Sequence, residues 1–294
     1  MKRLASLLLG SSLLIAASGI VAAQETTAET TPPPKVLSIF REFVKPGKAG
    51  SIHEKSESAF VQAFSRAKWP THYFAVDSLS GKPRALFLTG YDSLDAWEKD
   101  NKAIQKNAML SAALDRAADA DGQLLSDTDA GIFVFREDQS LNAPVDIAHM
   151  RYFEISLYVV RPGHRHEWNE AVKLVKAAYE QIPGSHWAMY QMMFGQQHGS
   201  AYAVFVPRKS AAEIDESFAN DKKFAEAMGE DGMKKLGDLE SSAIESSQTN
   251  LFQFNPRMSY PPDAWVKADP DFWKPKMHMG GMASKKPKEP AAAQ

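Results

Sequence analysis

The sequence predicts an α+β protein made of two tandem βαββαβ units packed sheet to sheet into one barrel. Three observations carry this reading. First, four landmarks recur in the same order in both halves, at offsets of 114 to 120 residues. Val44-Lys45-Pro46-Gly47 matches Val160-Arg161-Pro162-Gly163, and Thr71-His72-Tyr73 matches Ser185-His186-Trp187. Asp100-Asn101-Lys102 is echoed by Asn220-Asp221-Lys222, and Ile132–Phe135 by Leu251–Phe254. Second, the segments between landmarks alternate between strand-type and helix-type periodicity. Third, a one-sided sheet must bury its bare face, and a sibling unit in the same chain provides the cover.

The elements follow in order. Met1-Lys2-Arg3, an apolar run from Leu4 to Ala23, and small residues at Val21 and Ala23 describe a secretory signal cleaved after Ala23. A retained membrane anchor is the alternative. Residues 24–35 read as a flexible Thr/Pro/Glu linker. Unit one spans 36–140 and unit two 148–255. Each opens with a strand rich in β-branched and aromatic residues, Val36–Val44 or Arg151–Val160. Pro-Gly turns the chain into a helix, marked by Ile52, Ala59, Phe60, Ala63, Phe64 and Ala67, or by Trp168, Ala171, Val172, Val175, Ala178 and Tyr179. A hairpin follows, His72–Ser78 with Arg84–Tyr91, or His186–Phe194 with Ala201–Pro207. A second helical stretch, Ser93–Leu125 or Ala211–Ile244, leads to a short closing strand, Ile132–Arg136 or Asn250–Phe254. Residues 256–273 are too aromatic for a free tail and are expected to strap along the body, with 274–294 disordered.

This order is the split βαβ, or ferredoxin-like, arrangement. With the V-[KR]-P-G element between first strand and first helix, residues 36–255 resemble the dimeric α/β-barrel superfamily, in particular antibiotic-biosynthesis-monooxygenase-like and NIPSNAP-like domains. The resemblance implies a barrel assembled from two such units. Members of the superfamily include haem-handling enzymes, but no haem-specific motif surrounds His72 or His186.

Composition excludes several functions. Without residues 1–23 the chain holds 32 basic and 36 acidic residues, a formal charge near −4, because Lys2 and Arg3 are the only charges removed. Nucleic acid is therefore not an expected partner. There are no cysteines, so disulfides, thiolate metal sites and Cys nucleophiles are absent. No Gly-rich phosphate loop, HExxH pair or G-x-S-x-G elbow occurs.

Candidate site residues come from strand alternation. If the apolar set Phe153, Ile155, Leu157 and Val159 meets the helices, then Glu42, Glu154 and Tyr158 point between the sheets, into a polar pocket or a wet barrel mouth. His72 and His186 begin equivalent strands, where each is either a ligand-binding imidazole or a histidine bonded to a nearby carbonyl. Tyr190, Tyr73, Trp187, Met189, Met192 and Met193 line either an apolar cavity or the core. His164 and His166 are spaced too closely to share a helix face, and His53 and Glu54 read as exposed helix positions. Met277, His278, Met279 and Met282 form a soft, loose copper-type motif.

These features predict an exported, periplasmic or secreted, monomeric protein that holds a small molecule between two half-barrels and leaves the membrane once its signal is removed. The alternatives are a cofactor-independent monooxygenase-like enzyme and a haem- or copper-handling protein.

Overall fold

Val36–Val44 forms strand β1 in a computed structural model that describes residues 30–195 and 199–274. The chain continues through α1 (Ser51–Ala67), the hairpin β2 (Tyr73–Ser78) and β3 (Arg84–Tyr91), α2 (Leu94–Lys106), α3 (Ala108–Gly122) and β4 (Leu125–Phe135). The second half runs β5 (Tyr152–Val160), α4 (Arg165–Tyr179), β6 (Ala188–Phe194), β7 (Ser200–Arg208), α5 (Ala211–Ala219), α6 (Asp221–Ala243) and β8 (Ile244–Tyr260). Two short helices follow, α7 (Asp263–Ala268) and α8 (Pro270–Trp273). The expected signal at 1–23, the first part of the linker and the Met-His tail lie outside the described residues. Among the described residues no helix is long and apolar enough to cross a membrane.

The eight strands close into one antiparallel barrel in the order β1-β3-β2-β8-β5-β7-β6-β4. The closed barrel agrees with the expectation, and its seams are strand pairings rather than face packing alone. The halves join edge to edge, through β2–β8, where Val76 lies opposite Phe254, and through β4–β6, where Phe135 lies opposite Tyr190. An unpaired edge presents backbone N–H and C=O groups that need partners, and each half supplies them to the other. Among the described residues no free strand edge remains in the barrel for another molecule to pair with.

The two long helical stretches are each broken. Asn107 separates α2 from α3, and its side chain accepts a 3.1 Å hydrogen bond from the Leu110 amide. Asn220 divides α5 from α6, and within α6 Gly229 adopts φ 65°, a left-handed conformation that kinks the helix. The closing strands are longer than their sequence signal. Ser126–Asp129 and Glu245–Thr249 are polar and mostly exposed, which hides the strand pattern, yet they pair with β1 and β5.

The strand alternation runs opposite to the expectation. Phe153 and Ile155 turn into the barrel, where they pack with Leu37, Leu88, Phe133, Phe205, Phe252 and Phe254. Both halves line this interior, so it needs large apolar side chains to fill it at native density. The layer under the helices of the second half holds Trp168, Val172, Trp187, Met189 and Tyr202. The end of the chain is part of the fold. Residues 256–260 extend β8, and the Trp273 indole, buried in the barrel cluster, donates to the Ala148 carbonyl at 2.9 Å.

Candidate functional site at the barrel mouth

A cavity of about 650 Å³ opens at the barrel end where β1, β2, β5 and β6 begin. Its walls are mainly apolar: Leu37, Phe74, Leu88, Phe153 and Phe205 from the strands, and Trp265 from α7. Thr31–Lys35 borders it as well, held by a backbone hydrogen bond from Thr31 to Val145 at 2.9 Å. This stretch of the expected linker is therefore fastened to the barrel.

His72, His186 and Tyr190 all line this cavity. Both histidines reach this cavity because His72 directly precedes β2 and His186 lies two residues before β6, strands that start at the same barrel end. Their surroundings differ. The His72 ring stacks on Tyr260 at 4.7 Å between centroids, and its buried Nδ1 has no hydrogen-bond partner. His186 has Nδ1 at 2.8 Å from the Gly184 carbonyl and Nε2 at 2.9 Å from the Pro207 carbonyl. Both of its nitrogens are engaged by backbone, so neither is open to a metal or haem iron. The Tyr190 hydroxyl donates to the Pro34 carbonyl at 3.1 Å, and burial pushes its ionisation well above the usual phenol range.

The other three expected pocket residues lie outside the barrel. Glu154 pairs with Arg208 at 2.6 Å, and Tyr158 packs against Trp168 at 5.3 Å between centroids. Both line a second cavity of about 590 Å³ between the sheet and α4–α6. Glu42 lies beneath α1. Glu154 and Glu42 are tolerated on this face because Arg208 and His53 partner them there, whereas the barrel cluster is packed with apolar rings. Of the remaining residues named from sequence, Met192 packs against the barrel cluster, Trp187 and Met189 lie under the helices, and Met193 is exposed.

Beneath α1 the structure collects residues that sequence reasoning missed. His53, read as an exposed helix position, is 2 % exposed, whereas Ile52, placed on the apolar face, is 47 % exposed. The helix is rotated so that His53 and Glu57 face the sheet. His53 Nε2 lies 2.9 Å from Glu42 Oε2, 3.7 Å from Asp121 Oδ1 on α3, and 4.0 Å from Glu57 Oε1. Burial, then the charges of Glu42 and Asp121, push the Glu57 carboxyl up to about 9. Burial lowers His53, but hydrogen bonding and attraction from Asp121 and Glu42 outweigh it and raise the ring to about 10. The i, i+4 spacing of His53 and Glu57 was visible in the sequence, whereas their meeting with Glu42 and Asp121 was not.

No family model and no curated protein matches this sequence. Among solved structures, an anthrone oxidase-like protein matches with a TM-score of 0.49 and 13 % identity, covering 75 % of this chain and 92 % of its own. A candidate monooxygenase from Lactobacillus acidophilus NCFM matches with a TM-score of 0.44 and 8 % identity, covering 74 % of this chain and 93 % of its own. A chlorite dismutase variant from Candidatus Nitrospira defluvii has a TM-score of 0.44 and 9 % identity, covering 81 % and 98 %.

Proposed function

We propose that the barrel mouth binds a small, mostly apolar molecule bearing one polar group. The aromatic wall takes the apolar body and His72 takes the polar group. The observation that carries this reading is an apolar cavity of about 650 Å³ bordered by the half-buried His72, whose Nδ1 is itself buried and has no partner. Cavities of this size and lining are characteristic of small-molecule sites. An unsatisfied buried polar atom costs about 1–3 kcal/mol, which a ligand hydroxyl or carboxyl recovers on binding. Contributions from both halves support one asymmetric site enclosed by two diverged copies of the same unit. The signal-like N-terminus supports export to the periplasm or beyond, and closure of the barrel within one chain supports a monomer.

The test is titration with 1-naphthol, followed by tryptophan fluorescence, alongside native mass spectrometry of protein recovered from the periplasm. Saturable quenching is expected, with His72→Ala weakening binding about 5- to 150-fold. No quenching and no co-purifying molecule would remove the proposal.

The same histidine favours a second reading, oxidation of the bound ring by an enzyme without a cofactor. An imidazole beside a ring hydroxyl is placed to act as its base. Oxygen uptake with anthrone, lost in His72→Ala, is the outcome that supports catalysis; none in the wild type rules it out.

A further inference from the structure

We infer that Glu42, His53, Glu57 and Asp121 form a structural site for one divalent first-row metal ion, of the Zn²⁺, Mn²⁺ or Fe²⁺ class, that fastens α1 and α3 to the sheet. The four residues come from β1, α1 and α3, and each offers one ligand atom within 4.8 Å of all the others. A Zn–N or Zn–O bond of about 2.0–2.2 Å places tetrahedral donors about 3.3–3.6 Å apart. The distances from His53 Nε2 to the three carboxylates, 2.9, 3.7 and 4.0 Å, bracket that spacing. Two of the three are too long for hydrogen bonds, so direct bonding leaves most of the cluster unsatisfied.

The second observation is the state of the oxygens. Asp121 is 1 % and Glu57 2 % exposed, yet both Asp121 oxygens and Glu57 Oε1 have no hydrogen-bond partner. The Tyr73 hydroxyl, which feels the charges of Glu57 and Glu42, is likewise buried and unpartnered. Among the described residues no Lys or Arg forms an ion pair with any of the three carboxylates, whose one basic neighbour is His53. Three buried carboxylates facing one imidazole are expensive without a compensating cation.

The second half shows that the fold itself does not require acids here. There the layer between sheet and first helix is filled by Tyr158, Trp168 and Tyr202, with ring centroids 5.3 and 4.9 Å apart. Tyr158 is the counterpart of Glu42. An aromatic stack in one half and a four-donor cluster in the other hold helices to sheet by different means.

The donor set decides the class of ion. One imidazole and three carboxylates, with no thiolate or thioether, suit borderline and hard divalent ions and disfavour Cu(I). All four residues are at most 5 % exposed, which leaves no open coordination position for substrate. Such closure marks a structural site.

The full chain, stripped with EDTA and titrated calorimetrically with Zn²⁺ and with Mn²⁺, is expected to bind one ion per molecule and to gain several degrees in Tm. Asp121→Asn and Glu57→Gln, which keep side-chain shape, are expected to weaken binding by about 10- to 100-fold or more, and His278→Ala to leave it unchanged. Should the variants fail to fold, X-ray absorption of the Zn²⁺-loaded wild type decides: one imidazole among oxygen neighbours supports the site. Sulfur neighbours, loss of binding only in His278→Ala, or a flat titration with both ions overturn it, the last leaving shared protons to hold the cluster.

Discussion

The Tyr190 hydroxyl donates to the Pro34 carbonyl at 3.1 Å, so a strand of the second half holds the segment that leads into the first. Tyr190→Phe removes this bond at little steric cost. The expected loss is about 1 kcal/mol, or about 2–4 °C in Tm, with faster proteolysis near Thr31–Lys35. Differential scanning calorimetry and timed digestion check both, and a variant matching the wild type in both would show the bond to be without effect.

Tyr158 lines only the second cavity. Its ring packs on Trp168 under α4 and does not border the barrel mouth. Tyr158→Phe is therefore expected to leave 1-naphthol affinity within about twofold of wild type, additivity being normal for sites without shared partners. A tenfold loss would move the ligand site to the helix side of the sheet.

The α7–α8 segment is a structural lid on the barrel. Trp273 is 3 % exposed and touches Phe254, Trp265 and Phe272, while Arg151 stacks over Phe272 at 3.9 Å and pairs with Asp269. Trp273→Ala is expected to cost about 3–5 kcal/mol, read as a large fall in denaturation midpoint. A cost below about 1 kcal/mol would mean the segment is dispensable.

Asp77 gives a pH dependence. Burial raises its carboxyl above the ordinary range, against the hydrogen bond from Asn255 at 2.6 Å and the charge of His53, with Glu54 adding to the rise. The folded state thus binds this proton more tightly than the unfolded chain. Its stabilising contribution is full below the unfolded value of 3.8 and disappears as pH rises through the folded one. Asp77→Asn, neutral throughout, is expected to lose less Tm than wild type between pH 4 and pH 7. Equal slopes in calorimetry would contradict this.

Much of the architecture was legible because turns and periodicity are local. The Pro-Gly turns, the helix patterns and the hairpins lie near where the sequence puts them. The longer closing strands were hidden because Ser126–Asp129 and Glu245–Thr249 carry polar side chains on both faces at a solvated barrel end. Their strand identity comes from pairing with β1 and β5, a contact that no short window contains. The histidine pair at the strand starts was found from repeat position, but its asymmetry was not, since carbonyls from Gly184 and Pro207 engage only His186.

What the sequence determined by itself was the order of elements, the absence of thiol chemistry and the two histidines at matching strand starts, all properties of spacing and composition. What only the tertiary structure decided was which strand face looks inward. Period-two alternation sorts side chains into two sets but carries no sign. Closure of eight strands around a shared aromatic interior chose Phe153 and Ile155 for the inside and turned Glu42 outward, under α1, to meet His53, Glu57 and Asp121.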